Sequence, residues 1–366
     1  MSFGFQLLKT KIMGSMGKYS PIKLTIALTF LCNSRCKTCG IWKMYLENPE
    51  KFKMELTTEE WKKLFDEVGT SLAWVEFTGG EPTLRKDSSK IISYAYNKTG
   101  ILAGGLTTNA VAPKRSLRVI SDVLSNIPEN KILNVGISLD GLPEIHNEIR
   151  GINGNFENAV SLFQDLKSIQ DEHPNLRVHF AYTISRYNAG KFREFFEYMQ
   201  GTYDISIKDI TITIEHFTEY YNKHNEYTSN PYNDFKNLLI NDIYYILKLS
   251  RKEEVPSYFE KVKQAFYQFY LKEIPKFISD PRRMVIPCVA GRYSAYIDPY
   301  GNVYPCTQWL VKLGNLREKT FRKIWHGEET RKIRNLITQE KCPNCWTPCE
   351  AQPSWVMNFG VLRGWW

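Results

Sequence analysis

The sequence lacks several features that point to particular protein classes. No run approaches 18 uninterrupted apolar residues, so no segment is predicted to span a membrane. Lysine and arginine outnumber acidic residues by 48 to 39 without forming a block of like charge, so nucleic-acid binding is not expected. Lysines interrupt the apolar residues near the N-terminus, which argues against a secretory signal. With 43% hydrophobic and 24% charged residues, the composition predicts a folded cytoplasmic protein.

The first 21 residues precede the first predicted strand and are interpreted as an N-terminal arm. Phe5, Leu8, Ile12 and Met16 recur at helical spacing, which predicts a short basic amphipathic helix. We expect this helix to cover the bottom of the core. Contact with a membrane surface is the alternative.

Cysteine is absent from a long central stretch and concentrated on either side of it. Cys32, Cys36 and Cys39 form a first group, and 248 residues then pass without a cysteine. A reducing compartment is expected, so such groups indicate metal or iron–sulfur ligation rather than disulfides. The second group consists of Cys288, Cys306, Cys342, Cys345 and Cys349.

The first group has too few ligands for a structural zinc site. Such a site needs four, whereas Cys32, Cys36 and Cys39 supply three and the next histidine is His146. Three thiolates on one loop can instead hold three irons of a [4Fe–4S] cluster and leave the fourth iron open. The loop follows a strand-like run, so the open iron would lie at a strand's carboxyl end, where α/β folds build their sites.

Strand-like and helix-like segments alternate from residue 22 to 216, which predicts an α/β fold. Near-continuous apolar strands indicate a parallel sheet covered on both faces, and right-handed crossovers would curl it into a partial (β/α)6 barrel. Thr57 and Glu60 have the spacing of a capping box. The predicted strands are 23–31, 72–78, 101–107, 132–139, 176–184 and 209–216, and the predicted helices begin at 57 and cover 87–98, 114–125, 156–170 and 189–200.

The pattern changes after residue 216. Residues 217–281 are interpreted as a helical linker region with helices at about 233–250 and 257–273. Residues 282–350 are turn-rich and are interpreted as a small domain, with a hairpin that joins 293–297 to 302–304. Residues 351–366 form a C-terminal tail.

The motifs together resemble those of radical S-adenosylmethionine (SAM) enzymes. The run from Cys32 to Cys39 is similar to their CxxxCxxC loop, and Gly79-Gly80-Glu81-Pro82 is similar to their GGEP motif. The pattern of C-terminal cysteines, with the segments at 297–306 and 313–316, resembles the auxiliary-cluster domain called SPASM, or twitch in its shorter form. The resemblance covers roughly residues 22–350.

The resemblance implies a reaction and a set of cofactor-binding residues. A [4Fe–4S] cluster on the first three cysteines would bind SAM through its open iron and cleave it reductively, and the resulting 5′-deoxyadenosyl radical would abstract a substrate hydrogen atom. A SAM site is expected at Thr38, Gly79, Gly80, Glu81, Asn109, Ser138 and Arg150. Thr38 would act through its backbone, in a position where the family often has an aromatic residue. Alternative roles are helix capping for Asn109, a backbone-satisfied hydroxyl for Ser138 and a surface salt bridge for Arg150.

Two further residues lie near this predicted site. Asp140 is expected either to orient a substrate or to cap the following turn, and these roles stay open. His146 is expected to be structural. No catalytic base is identified.

The five C-terminal cysteines exceed the four ligands of one auxiliary [4Fe–4S] cluster. The twitch pattern would choose Cys288, Cys306, Cys342 and Cys345, whereas the longer SPASM pattern favours Cys349 in place of one of the last pair. A zinc knuckle is the alternative. Thr307 and Gln308 follow Cys306 where sulfatase-maturing relatives carry an aspartate, so that activity is disfavoured.

The expected function is therefore oxidation or modification of a peptide or a small molecule by a radical SAM enzyme. A reductase or a ferredoxin- or flavodoxin-type protein would supply the electron. The absence of a winged-helix segment before the first strand makes a ribosomal-peptide role less expected, without excluding it. The alternatives are a non-catalytic iron–sulfur electron-transfer or sensing protein and a zinc-stabilised binding module.

Overall fold

A single mixed sheet of nine strands organises the protein. The computed structural model describes residues 10–14, 16–218, 230–251, 258–282 and 284–360. Six strands are parallel neighbours in the order β6-β5-β4-β3-β2-β1, and three further strands continue the sheet as β7-β8-β9 beyond β1. The strands are β1 Lys23–Thr29, β2 Trp74–Gly79, β3 Ala103–Thr108, β4 Ile132–Ser138, β5 Leu176–Ile184, β6 Ile210–Ile214, β7 Ser294–Ile297, β8 Asn302–Tyr304 and β9 Gly314–Asn315.

Helices alternate with the six parallel strands and confirm the predicted α/β partial barrel. They are α1 Thr58–Val68, α2 Ser88–Lys98, α3 Pro113–Leu124, α4 Pro143–Arg150, α5 Asn155–Ser168, α6 Phe192–Tyr203, α7 Lys236–Ser250, α8 Tyr258–Ser279, α9 Phe321–Trp325, α10 Glu328–Thr338 and α11 Pro348–Trp355, with short helical turns at Ile41–Lys43, Met44–Glu47 and Pro49–Met54. No helix in these described ranges combines the length and apolarity that a bilayer crossing needs.

Most predicted elements lie within a few residues of the observed ones, and the differences have local causes. The sequence pattern does not predict α4, because its eight residues include one buried apolar side chain, Ile149, and one buried histidine, His146. Three helices occupy the segment expected to be turn-rich, and α11 runs through the proposed boundary at residue 350. The predicted N-terminal helix lies largely outside the described residues, of which 10–14 are helical.

Sequence chemistry explains where the first barrel helix begins. The predicted capping box is present: the Thr57 side chain accepts from the Glu60 backbone N–H, and the Glu60 carboxylate accepts from the Thr57 N–H. Trp61, Leu64 and Phe65 form the buried face of α1. Arg317, from the C-terminal segment, donates two hydrogen bonds to the same Glu60 carboxylate, at 2.5 and 2.9 Å. The cap of α1 therefore also ties the C-terminal segment to the barrel.

Strand β1 joins the barrel to the C-terminal segment because it pairs on both edges. It pairs with β2 on one side and with β7 on the other, both in parallel. The predicted hairpin is confirmed: β7 and β8 are antiparallel, with Tyr296 opposite Tyr304. The carboxyl end of β1 is therefore fixed relative to both groups of cysteines.

The glycines that follow β2 continue the pairing with β1 past the end of the strands. The Gly80 N–H donates to Thr29 O at 2.8 Å, and the Glu81 N–H donates to Leu31 O at 2.7 Å. A Cβ on Gly79, whose φ is +139°, would lie 2.1 Å from Thr29 O, and one on Gly80 would lie 2.4 Å from Leu31 O. Neither position has room for a side chain, because backbone of the first strand occupies it.

Lys23 lies at the opposite end of β1 and is 1% exposed. Its Nζ donates to the carbonyl oxygen of Cys349 and lies 4.8 Å from the centroid of the Trp74 ring. Burial raises the pKa of Glu76 and raises that of Glu350 to about 7, and the positive charge of Lys23 offsets part of both shifts. Lys23 is therefore the cation whose charge acts on both Glu76 and Glu350 at the junction with the C-terminal segment.

We predict that Lys23→Met lowers the free energy of unfolding by about 3 kcal/mol, because it leaves two buried carboxyl groups without their cation. The matched control is Lys62→Met, which removes an exposed pair with Glu59 of 2.8 Å and should cost less than about 1 kcal/mol. Anaerobic denaturant unfolding of the three proteins measures both values. Equal losses in the two variants would contradict this role for Lys23.

We predict that Gly80→Ala lowers the free energy of unfolding by about 1–3 kcal/mol, because the new methyl group would collide with backbone atoms that cannot move aside. Gly201→Ala is the control: Gly201 lies in α6, and a Cβ at this position would meet no neighbouring atom within 4 Å, so alanine should stabilise the helix by about 0.5–1 kcal/mol. Thermal unfolding of both variants tests the opposite signs. A neutral Gly80→Ala would show that the turn can move away from β1.

Candidate active site

The first three cysteines lie on a loop directly after β1. This three-cysteine loop, residues 32–39, carries Cys32, Cys36 and Cys39, all partly exposed. All eight cysteines of the chain are free thiols. The loop is at the carboxyl end of the parallel sheet, as the sequence predicted.

A buried carboxylate fixes the turn next to the loop. Glu81 is 2% exposed, and its carboxylate accepts from the Thr83 hydroxyl at 2.6 Å, the Thr108 hydroxyl at 3.0 Å and the Asn109 N–H at 2.6 Å. Burial raises its pKa, and these donors lower it in part. The Glu81 carboxylate thus joins the ends of β2 and β3. Its donors are protein groups, so the carboxylate that the resemblance places in a SAM site is already hydrogen-bonded within the protein.

Asn109 contacts the loop directly. Its Nδ2 lies 2.9 Å from Asn33 Oδ1 and 3.7 Å from Cys32 Sγ, and its Oδ1 accepts from the Val111 N–H. The alternative role of capping α3 is wrong, because Ala112 occupies that cap and no side chain caps the helix. Asn109 therefore holds the loop at its first cysteine.

Arg150 contacts the loop at its second cysteine. Its guanidinium forms a buried ion pair with Asp140, with an Nη2–Oδ2 distance of 2.6 Å, and its Nη1 lies 3.8 Å from Cys36 Sγ. Its carbonyl oxygen accepts from the Arg35 N–H at 2.9 Å and from the Ser34 hydroxyl at 3.0 Å. The carboxyl end of α4 is therefore built against the loop.

Asp140 and His146 have structural partners. The Asp140 Oδ1 accepts from the Thr183 N–H at 3.1 Å, so this side chain bridges β4 to β5 and does not cap the next turn. His146 Nδ1 accepts from the Asp140 N–H, and Nε2 lies 3.2 Å from Asn155 Oδ1. Burial lowers the His146 pKa to about 4, which keeps the ring neutral. The structural role expected for His146 is confirmed.

Ser138 and Thr38 are differently placed with respect to the loop. Ser138 ends β4 and is 6% exposed, and its hydroxyl has no protein hydrogen-bond partner among the described residues. The alternative of a hydroxyl satisfied by backbone therefore finds no support. Thr38 is partly exposed within the loop itself.

Two residues that position the loop were not predicted from the sequence. Glu55 accepts from the Thr29 hydroxyl at 2.6 Å, the Phe30 N–H at 3.0 Å and the Tyr45 hydroxyl at 2.5 Å. Asn155 donates to the Asn109 carbonyl oxygen at 3.0 Å. Both act through contacts between residues distant in sequence. A cluster of polar residues near a strand end would have been the only signal.

The three thiols of the loop are near enough to affect one another. Burial raises the pKa of Cys32 to about 11 and that of Cys39 to about 12, and the charge of Cys36 adds to both shifts. Without a metal, Cys32 and Cys39 are therefore protonated at neutral pH. Binding of iron would release their protons.

Four C-terminal cysteines surround one cavity. They are Cys288, Cys306, Cys342 and Cys345, which share this cavity with Glu350, Trp309 and Trp346. Burial raises the pKa of all four thiols, and in three of them Glu350 adds to the shift. Four cysteine side chains around one cavity are the type and number of ligands that a [4Fe–4S] cluster takes.

Cys349 does not line this cavity. It is the second residue of α11, and the charges near its thiol are those of Lys23, Glu76 and Glu350. Across the described ranges, no three His, Cys, Asp or Glu side chains converge tightly enough to hold a single ion. The zinc knuckle considered from the sequence gains no support from this geometry.

Family models match two parts of the chain. The radical SAM superfamily model matches residues 26–199, and the model of an iron–sulfur cluster-binding domain, SPASM, matches residues 288–346. The second match begins at Cys288 and includes Cys345 but not Cys349.

Relatives with assigned names cover different shares of the chain. An Fe-coproporphyrin III synthase of Methanosarcina barkeri is 29% identical over 47% of this chain and 39% of its own length. An AdoMet-dependent heme synthase of Oleidesulfovibrio alaskensis is 26% identical over 87% of this chain and 78% of its own length. The sporulation killing factor maturation protein SkfB of Bacillus subtilis is 26% identical over 51% and 41%. The chain thus spans less than half the length of two of these three.

Solved structures share the fold. Streptococcus suis SuiB bound to S-adenosylmethionine has a TM-score of 0.57 at 17% identity, covering 88% of this chain and 71% of its own. The enzyme anSMEcpe with bound AdoMet and a peptide has a TM-score of 0.56 at 18% identity, covering 93% and 97%. Both family matches lie on the residues that build the two cysteine sites. The chain therefore belongs to the radical SAM superfamily of enzymes and carries a C-terminal SPASM iron–sulfur domain.

Proposed function

We propose that this protein reductively cleaves SAM and abstracts a hydrogen atom from a substrate, with an auxiliary [4Fe–4S] cluster that assists its oxidation or modification. The observation that carries the proposal is the three-cysteine loop at the carboxyl end of β1, which Asn109 and Arg150 contact and which Glu81 adjoins through its hydrogen bond to Leu31. When bound, the loop cluster and SAM supply a 5′-deoxyadenosyl radical. The protein's own part is to hold the loop, orient the ligands and exclude water.

We assign the predicted cofactor-binding residues different parts in this site. The Ser138 hydroxyl is available to a ligand, and Arg150 keeps one unused N–H on each terminal nitrogen, which suits a carboxylate. Thr38, Gly79, Gly80 and Asn109 would contact SAM through backbone or amide groups. Glu81 would act by positioning, since protein donors occupy its carboxylate.

We propose that the auxiliary cluster is held by Cys288, Cys306, Cys342 and Cys345. These four thiols share one cavity, and the SPASM match includes all four. Cys349 lies instead on α11 near the charge of Lys23. A ligand set with Cys349 in place of one of the pair is the alternative.

A peptide is the substrate class that we propose. SkfB is named as a maturation protein, and the structure of anSMEcpe, which shares the fold, contains a bound peptide. A tetrapyrrole of the heme type is the second candidate. It is favoured by the similarity to an AdoMet-dependent heme synthase, which extends over 87% of this chain.

The same proposal includes a partner and a compartment. One electron per SAM cleavage would come from a reductase or a ferredoxin- or flavodoxin-type donor. Eight free thiols in one chain suit the reducing cytoplasm. A nucleic-acid partner is not part of the proposal.

We predict that protein reconstituted anaerobically with iron and sulfide forms 5′-deoxyadenosine from SAM and dithionite, and that Cys36→Ala abolishes this reaction because it removes one of three iron ligands. Quantified 5′-deoxyadenosine is the readout. Deuterium transfer from labelled candidate peptides and tetrapyrroles into 5′-deoxyadenosine separates the two substrate classes. An iron-loaded protein that neither binds nor cleaves SAM would instead support the non-catalytic electron-transfer alternative.

We predict that Cys345→Ala lowers the iron content by about one [4Fe–4S] cluster, whereas Cys349→Ala retains both clusters. The reason is that the Cys345 thiol lines the cavity and the Cys349 thiol does not. Iron and sulfide analysis together with Mössbauer spectra of the two variants measures this difference. Loss of a cluster in Cys349→Ala alone would favour the alternative ligand set.

A further inference from the structure

A buried ion pair lies behind the second cysteine of the loop. Arg150 and Asp140 have side chains that are 14% and 4% exposed, and both Nε and Nη2 of the arginine donate to Asp140 Oδ2, at 2.7 and 2.6 Å. Asp140 is fixed in turn, because its Oδ1 accepts from the Thr183 N–H on β5. The guanidinium therefore has a defined orientation before any ligand binds.

This orientation aims the third guanidinium nitrogen at sulfur. Nη1 lies 3.8 Å from Cys36 Sγ, while the Arg150 carbonyl oxygen binds the neighbouring Ser34 and Arg35. The only other side-chain hydrogen bonds to the three thiols in the described part of the chain come from neutral groups: the Asn109 amide near Cys32 and the Ser34 hydroxyl 3.2 Å from Cys36 Sγ. Arg150 is thus the charged donor to the loop sulfurs.

A donor of this kind changes how readily a cluster is reduced. Reduction adds negative charge to the cluster and its thiolates, and hydrogen bonds to sulfur and nearby positive charge stabilise that charge. In a partly water-excluded site the effect is larger than in water. Asp140 compensates part of the arginine charge but leaves the N–H directed at Cys36.

We propose that Arg150 is a positioning residue that raises the reduction potential of the loop cluster through an N–H···S hydrogen bond to Cys36. This inference rests on the proposed function, because it requires a cluster on Cys32, Cys36 and Cys39. It is separate from a contact with the SAM carboxylate, for which other N–H groups of Arg150 are available. The ion pair with Asp140 sets the direction of the bond.

The test is an anaerobic redox titration of the full chain, followed by electron paramagnetic resonance without SAM. For Arg150→Met we expect the equilibrium constant for reduction of the loop cluster to fall at least tenfold. For a one-electron couple this corresponds to a fall of about 59 mV in the midpoint potential. Arg150→Lys keeps the charge without the fixed fork and should give a smaller fall. The auxiliary cluster is the internal reference and should keep its potential.

Two further variants control for charge and for folding. Lys37→Met removes a positive charge beside Cys36 in sequence, but this side chain is 40% exposed and pairs with Glu148 at 2.5 Å. The equilibrium constant for reduction of the loop cluster should therefore change less than threefold. The double variant Arg150→Met with Asp140→Asn leaves no unpaired buried charge. It should still lower the potential, because the N–H donor is lost.

The outcomes separate the two proposals. A wild-type protein without a cluster on the loop overturns the proposed function together with this inference. A loop cluster whose potential is unchanged in Arg150→Met and in the double variant overturns this inference alone, as does an equal shift in Lys37→Met. If the wild type assembles the loop cluster and no Arg150 variant does, Arg150 acts in assembly and the inference is wrong.

Discussion

The pairing of β1 on both edges is the constraint on which the rest of the structure depends. One strand of the barrel is also the strand onto which the C-terminal segment builds its hairpin. Its carboxyl end leads into the three-cysteine loop, and its first residue, Lys23, contacts Cys349 in the C-terminal segment. At a rise of about 3.3 Å per residue, the seven residues of β1 span about 20 Å. The strand therefore places the three-cysteine loop at one end of a rigid element and the contact between Lys23 and Cys349 at the other.

Buried carboxylates complete the loop end of this element, and their cost explains their many partners. An ionised carboxylate removed from water without donors is strongly destabilising, so each must be hydrogen-bonded. The Glu81 carboxylate accepts hydrogen bonds from groups at the ends of β2 and β3. The Glu55 carboxylate accepts hydrogen bonds from β1 and from the segment that covers it. Because each carboxylate binds several elements at once, the loop is held by groups that are already satisfied before a cofactor binds.

Local signals in the sequence were sufficient for the barrel and for the motifs, but not for the contacts between them. The Thr57 capping box, the apolar strands and the spacing of the cysteines act within a few residues, and the structure contains each of them. The roles of Lys23 and Glu55 depend on strand register and on partners such as Cys349 and Thr29, which lie 326 and 26 residues away and which no short pattern encodes. Gly79 and Gly80 were expected only as SAM-site residues, and the structure adds a requirement that the motif did not indicate, which is the close approach of their backbone to the end of β1.

The two cysteine sites are alike in burial, and each has a carboxyl group nearby, Glu81 at the loop and Glu350 at the auxiliary cavity, but they differ in the groups that contact the sulfurs. Burial raises the pKa of thiols in both, so iron binding at either site must release protons. Around the loop, amide, hydroxyl and guanidinium groups contact the sulfurs, and these groups favour added negative charge. Around the auxiliary cavity, the Glu350 carboxyl raises the pKa of the thiols further, which opposes added negative charge. Since hydrogen bonds and local charge tune the potential of an iron–sulfur cluster, the proposed Arg150 donor would favour reduction at the loop, whereas the Glu350 carboxyl would oppose reduction at the auxiliary cavity.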